Sequence, residues 1–244
     1  MESSDHPSLQ VTLLGGFRLL AGDDQVAVSG GSERLLAFVA LCGQAVPRNL
    51  LAGTLWPEAP ERRACASLRS ALVRLNGAGR QMLSVGATEI RLCPEAHVDF
   101  HDARSLAQRI LDPTTPTESR DLSAQAVAML SDSLLPGWYD DWAVHEAEEW
   151  QQRRLHALEA LTDAFVAAGR CADAVAAAGV AVRAEPLRES ARAALIRAHL
   201  AEDNQAEALR CFEHYSRHLQ AELGLRPTLR LCELVAGLRP DAPP

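Results

Sequence analysis

From its first apolar run the chain alternates between apolar and polar positions. Leu9, Val11 and Leu13 in LQVTL, then FRLL (17–20) and VAV (26–28), recur at period two, with turn signals at Gly15-Gly16 and in AGDDQ between them. This pattern predicts a small antiparallel sheet. The period then changes: Ser32 is placed to cap a helix whose interior, RLLAFVALC, is apolar almost all round and stops at Gly43. Pro47 opens a second helix, RNLLAGTLW, which Pro57 ends. A third helix starts at Pro60 and runs to Asn76-Gly77, and MLSVGATEIRL reads as a hairpin turning at Gly86-Ala87. Sheet, three helices and hairpin follow the order of a winged helix-turn-helix.

Projected at about 100° per residue, the third helix places Cys65, Leu68, Leu72 and Leu75 on one core-facing stripe. Arg63, Ser67, Ser70 and Arg74 fall opposite, Arg62 and Arg69 flank the stripe, and Val73 lies on the exposed side.

Beyond residue 98 the segments are Ala-rich and helical in period. ALTDAFVAAGRCADAV (160–175) matches ALIRAHLAEDNQAEAL (194–209) at an offset of 34 residues, the tetratricopeptide period. Stacked helical hairpins of this kind present a concave surface that binds protein segments. The expected fold is therefore mainly α, a winged helix-turn-helix domain over residues 1–97 followed by an all-α tetratricopeptide-like repeat domain over 98–244. Residues 1–8 and the closing RPDAPP are polar or Pro-rich and expected to fray.

Charge sharpens this division. The 244-residue chain has net charge −8, yet residues 1–97 balance nine arginines against nine acids, and residues 48–80 hold six arginines against two. A polyanion would meet the chain there. The acidic surplus lies in the helical half, where it reads as a solvated face.

Composition also excludes chemistry. The chain has no lysine, which removes both a Walker A loop and a pyridoxal Schiff base, and no G-x-S-x-G or G-x-G-x-x-G is present. No catalytic constellation stands out, so a non-enzyme without cofactor is expected. The six cysteines include no C-x-x-C and read as scattered buried thiols. His97 with His101, and His214 with His218, have i,i+4 spacing but no third ligand, so no metal site is expected. Trp138 and Trp142 share a spacing that puts two indoles on one helix face, entered through Pro136-Gly137, and with Trp150 they read as core. LQVTLLGGFRLLAG has no basic leader and is broken by glycines, so neither a signal peptide nor a membrane span is expected and the location is cytoplasmic.

The segments LLAFVALCGQAVPRNLLAGTLWPE, SLRSALVRL, LLPGWYDDW and ELGLRPT together resemble the Streptomyces antibiotic regulatory protein family, over roughly residues 9–238. In that family the C-terminal half is the bacterial transcriptional activator domain. The resemblance implies a cytoplasmic transcriptional activator of a biosynthetic gene cluster. Such a protein binds direct repeats in double-stranded DNA, as a homodimer on that DNA, and recruits RNA polymerase; no membrane partner is implied. The family's DNA contacts, carried over, are Arg63, Ser67, Ser70 and Arg74 on the third helix and the hairpin from Gly86 to Arg91; Arg62 and Arg69, which flank the stripe, complete with Arg91 the expected DNA-binding set. Within this set Arg74, opposite the stripe, is placed for a base edge, and Arg69, on the flank, for a phosphate. The alternative is a protein-interaction scaffold whose winged helix has lost DNA binding. Asn76-Gly77, where the family continues with basic residues, and Val73, at a position often polar in the family, favour that alternative.

Overall fold

The computed structural model describes residues 8–112, 114 and 120–238. Apart from Ser8, the two ends expected to fray lie outside the described residues. The chain forms two compact units, one of Met1–Arg104 with Ser133–Trp150, the other of Ser105–Asp132 with Gln151–Pro244.

The first unit begins with β1 (Leu9–Thr12) and β2 (Arg18–Ala21), antiparallel with Val11 opposite Leu19, and β3 (Asp24–Gln25) beyond β2. The apolar VAV is not the third strand; the strand precedes it, and only Val26 continues the pairing by donating its N–H to Leu19 O at 2.8 Å. Three helices follow, α1 (Gly30–Cys42), α2 (Arg48–Leu55) and α3 (Glu61–Arg74), with the bridge β4 (Val46–Pro47) between the first two. Gly43 ends α1 in the left-handed conformation, φ +63°, which costs glycine nothing. Ser29, not Ser32, stands at the start of α1; Ser32 is inside the helix and buried.

A short α4 (Gly77–Gln81) then leads into β5 (Leu83–Val85) and β6 (Glu89–Leu92), joined by the expected hairpin, where the Gly86 N–H donates to Glu89 O at 2.9 Å. Val46 pairs with Ile90, so the wing sheet has the order β4-β6-β5. Both α1 and α2 pack on α3, which leaves the other side of α3 to solvent.

The first sheet is mixed, because β7 (His97–Val98) pairs parallel to β1. It leads into α5 (Asp99–Leu111), whose first residue accepts hydrogen bonds from the N–H groups of Leu13 (2.8 Å), Leu14 (3.2 Å) and Phe100 (2.7 Å). Residues 133–150 complete this unit. Leu134 forms a bridge with Leu14, and Leu135 donates its N–H to Leu13 O at 2.9 Å. Trp142 meets Phe38 edge to face with centroids 5.1 Å apart, and Trp138 meets Trp142 at 5.7 Å. Trp138 lies in the turn ahead of α7 (Asp141–Ala167), so the two indoles meet across a helix start and not along one helix face.

Among its described residues, the second unit has only helices as regular elements. It contains α6 (Ala124–Met129), the later part of α7, α8 (Cys171–Ala184), α9 (Glu189–Ala201), α10 (Gln205–Leu223) and α11 (Leu229–Val235). The 34-residue offset recurs in its ends. Helix α7 ends at Ala167 and α9 at Ala201, and α8 begins at Cys171 and α10 at Gln205. The turns correspond as well, since Gly169 and Asp203 both take positive φ, +71° and +58°. Ala174, Ala177, Ala178 and Ala181 of α8 are buried, and so are Ala191, Ala194 and Ala198 of α9, the helix packed beside it. Alanine faces let two helices approach closely with little side-chain entropy to lose. Ile196, Phe212, Tyr215, Leu219, Leu231 and Val235 close the far end. The buried Arg154 donates to Ser131 O at 2.8 Å and Leu130 O at 3.4 Å, satisfying carbonyls where α6 ends, and burial pushes its pKa down.

Candidate nucleic-acid interface

The site rests on α3 and the wing. Helix α3 starts immediately after Pro60, whose fixed φ suits a helix entrance, and gives way at Leu75, whose N–H still reaches Ala71 O at 3.3 Å. Its buried residues are Ala64, Leu68 and Ala71, continued by the buried Leu75 just past its end, while Cys65 and Leu72 are half-buried. The buried stripe is therefore turned from the expected one by about 50° at about 100° per residue. The reason is steric. Against the helices α1 and α2, alanine at 64 and 71 permits close approach, and the larger leucine at 72 is displaced to the edge of the contact.

The rotation changes which residues face outward. Arg62, Ala66, Arg69 and Val73 form the central exposed ridge, with Val73 82% exposed. Ser70 and Arg63 lie to one side of that ridge, exposed; Arg74 is farther round, exposed, and Ser67 is half-buried at the margin. The structure thus brings Arg62, Arg63, Arg69, Ser70 and Arg74 onto one open surface of α3 and leaves Ser67 at its edge. Arg74 also lines an open cleft of about 300 Å³ beside Ser29 and Asn76, at the margin of the surface. Arg69 stands nearer its centre than Arg74, the reverse of the expected arrangement.

On the wing, Arg91 is exposed on β6 opposite Ser84. Among the described residues, the side chains of Arg62, Arg63, Arg69, Arg74 and Arg91 have no hydrogen-bond or ion-pair partner. Five exposed guanidinium groups without carboxylate partners suit phosphates and base edges, to which Arg donates in a planar fork.

Two further arginines belong to this region. Arg48 donates from its backbone N–H to Thr88 O at 2.9 Å and from Nη1 to Gly86 O at 3.2 Å, tying the start of α2 to the wing tip. Arg80 donates from Nη1 to Leu83 O at 2.8 Å, holding α4 to the start of β5. Both were within the arginine-rich window of residues 48–80; their role in setting the wing depends on strand pairing and is not visible in local sequence.

The other candidates separate. His97 lies on β7 and His101 on α5, and His97 Nε2 contacts Asp102 Oδ2 at 2.6 Å instead. His214 and His218 stack on α10 with centroids 6.3 Å apart. Among the described residues no group of three or more His, Cys, Asp or Glu is placed to hold a metal ion. All six cysteines are free and half-buried, not fully buried. Among the described residues no helix is long and apolar enough to cross a membrane.

Comparison with known proteins fits this architecture. The family described as bacterial transcriptional activator domain matches residues 98–239. Among solved structures, Mycobacterium tuberculosis EmbR in complex with a low affinity phosphopeptide is similar, with a TM-score of 0.68 and 21% sequence identity over 97% of this chain and 67% of that one. At that identity the likeness shows a shared fold. No curated protein matches the chain in sequence.

Proposed function

The chain belongs to the bacterial transcriptional activator domain family, the family of transcriptional regulators that its resemblance to the Streptomyces antibiotic regulatory proteins implied, and from that premise we propose that it binds double-stranded DNA sequence-specifically through α3 and the wing. Residues 1–97 carry the DNA-binding function, and residues 98–244 are a tetratricopeptide-like activator domain that meets the transcription machinery. The protein works in the cytoplasm as an activator of a biosynthetic gene cluster. It binds direct repeats as side-by-side protomers and recruits RNA polymerase.

The observation that carries this reading is the open arginine surface of α3 in a chain whose net charge is −8. An acidic protein that keeps Arg62, Arg63, Arg69, Arg74 and Arg91 without carboxylate partners on one unit concentrates its positive potential where a duplex would dock. The small residues Ala66 and Ser70 beside them let the helix backbone come close to the major groove.

Gel-shift measurements with the full chain on DNA flanking its own gene, at several salt concentrations, test the proposal. A shift whose log affinity falls linearly with log salt supports it. No shift at the lowest salt overturns it and leaves the interaction scaffold as the reading.

A further inference from the structure

The most exposed apolar side chain on the candidate interface is Val73, at 82%. It stands on the outward ridge Arg62–Ala66–Arg69–Val73, next to Arg69 and Ser70 and away from the core. Nothing in its own unit covers it. An exposed β-branched residue on a helix carries both a hydration cost and a propensity cost relative to a polar residue. Among the described residues of α3, every other fully exposed position holds arginine, serine, alanine or the leading Glu61.

In the major groove only one base presents an apolar group, the C5 methyl of thymine. A branched aliphatic side chain between guanidinium donors matches that group. The arginines bring the helix to the polyanion, and Val73 is left to bury a methyl that no hydrogen bond can read. Resting on the DNA-binding reading, we propose that Val73 is a specificity-determining residue that reads a thymine methyl and selects an A·T pair within the site. The valine thereby replaces a hydrogen-bond reader by an apolar one at a position that otherwise argues against DNA binding.

The probe is a duplex enriched from a random-sequence DNA library by the full chain, then resynthesised with each thymine in turn replaced by deoxyuridine, which lacks only the methyl. Wild type should lose about fourfold in affinity at one or two positions, the worth of one buried methyl group. Val73→Ala should bind the thymine and deoxyuridine forms of those positions equally while keeping the far-ultraviolet circular dichroism of the wild type. Enrichment followed by wild-type indifference to deoxyuridine at every position overturns the inference and leaves DNA binding standing. Equal sensitivity in Val73→Ala also overturns it, because the methyl is then read by another residue. Failure to enrich any sequence overturns the DNA-binding reading itself, and the inference with it.

Discussion

The Ser32 hydroxyl, inside α1, donates a 2.8 Å hydrogen bond to the carbonyl oxygen of Ala71 in α3. Both residues are buried, Ser32 at 1% and Ala71 at 3% exposure, so the bond fixes the roll of α3 against α1 from within the core. Ser32→Ala removes the donor and leaves the Ala71 carbonyl with only its 3.3 Å bond from the Leu75 N–H. It is expected to lower stability by about 0.5–1.5 kcal/mol in urea unfolding and to weaken DNA binding without touching any residue of the outward ridge. A variant as stable as wild type would show that the serine carries no weight in placing α3.

Asp99 gives the first unit a pH dependence of known sign. Burial pushes its carboxyl up, against the lowering effect of the N–H groups of Leu13, Leu14 and Phe100 and of the Arg18 charge. A raised folded pKa means that, above the unfolded value of about 4, the native state holds the proton more tightly than the unfolded chain. This group's contribution to stability therefore falls as pH rises through that window and levels off above the folded pKa. Asp99→Asn has no such titration. The stability difference, wild type minus Asp99→Asn, is expected to decline from about pH 4 upward and then flatten, as followed by thermal unfolding at a series of pH values. A difference that rises over the same window would contradict the burial argument.

Leu161 and Leu195 correspond at the 34-residue offset but differ in environment: Leu161 is fully buried and Leu195 half-buried, with Ile196 taking the buried place beside it. Leu161→Asp places a charge where water cannot follow and is expected to cost several kcal/mol, about the scale of a domain's stability. Leu195→Asp should cost roughly half of that or less, because its carboxylate reaches solvent. Circular dichroism melts separate the two; equal losses would mean that the two helical hairpins pack alike despite their different burial.

The sequence pattern disclosed features whose cause is local. Gly43 and Pro47 bound helices through their own backbone geometry, Gly86 turns the wing hairpin, and the 34-residue spacing of α7–α8 and α9–α10 repeats as apolar residues and turns. Features that depend on distant partners were not legible. The strand His97–Val98 is two residues long and acquires its identity only by pairing with Gln10 and Val11. Helix α4, GAGRQ, has two glycines and an Asn76 that makes no side-chain cap, so its helicity comes from packing against β2 and β5. Residues 133–150 read as part of the helical half, yet Leu134, Leu135, Trp138 and Trp142 complete the N-terminal unit through contacts with Leu14, Leu13, Phe17 and Phe38. On α3 the arginine cluster was visible, but its orientation was not. Weighting the apolar positions by size favoured Cys65 and Leu72, where close helix packing selected Ala64 and Ala71.

That rotation of α3 assigns different roles to two arginines. Arg69 lies beside Val73 on the central ridge, while Arg74 lies toward the cleft formed with Ser29 and Asn76. If the ridge enters the major groove, Arg69 meets base edges and Arg74 the sugar-phosphate wall. Arg69→Ala is then expected to cost about 1–3 kcal/mol at the selected site and to narrow the gap between that site and random DNA. Arg74→Ala should weaken binding to all sequences alike and reduce the steepness of the log affinity against log salt by about one unit. Both side chains are exposed and unpartnered, so neither change should disturb folding, and equal melting temperatures would verify that. The decisive measurement is a salt titration of each variant on the selected and a scrambled duplex. Exchanged effects would mean that α3 approaches DNA along its Arg63–Ser70–Arg74 side, so that the burial of the helix does not set its docking face. Wild-type behaviour by both variants would make the arginine surface a solvated one and remove the main support for DNA binding through this helix.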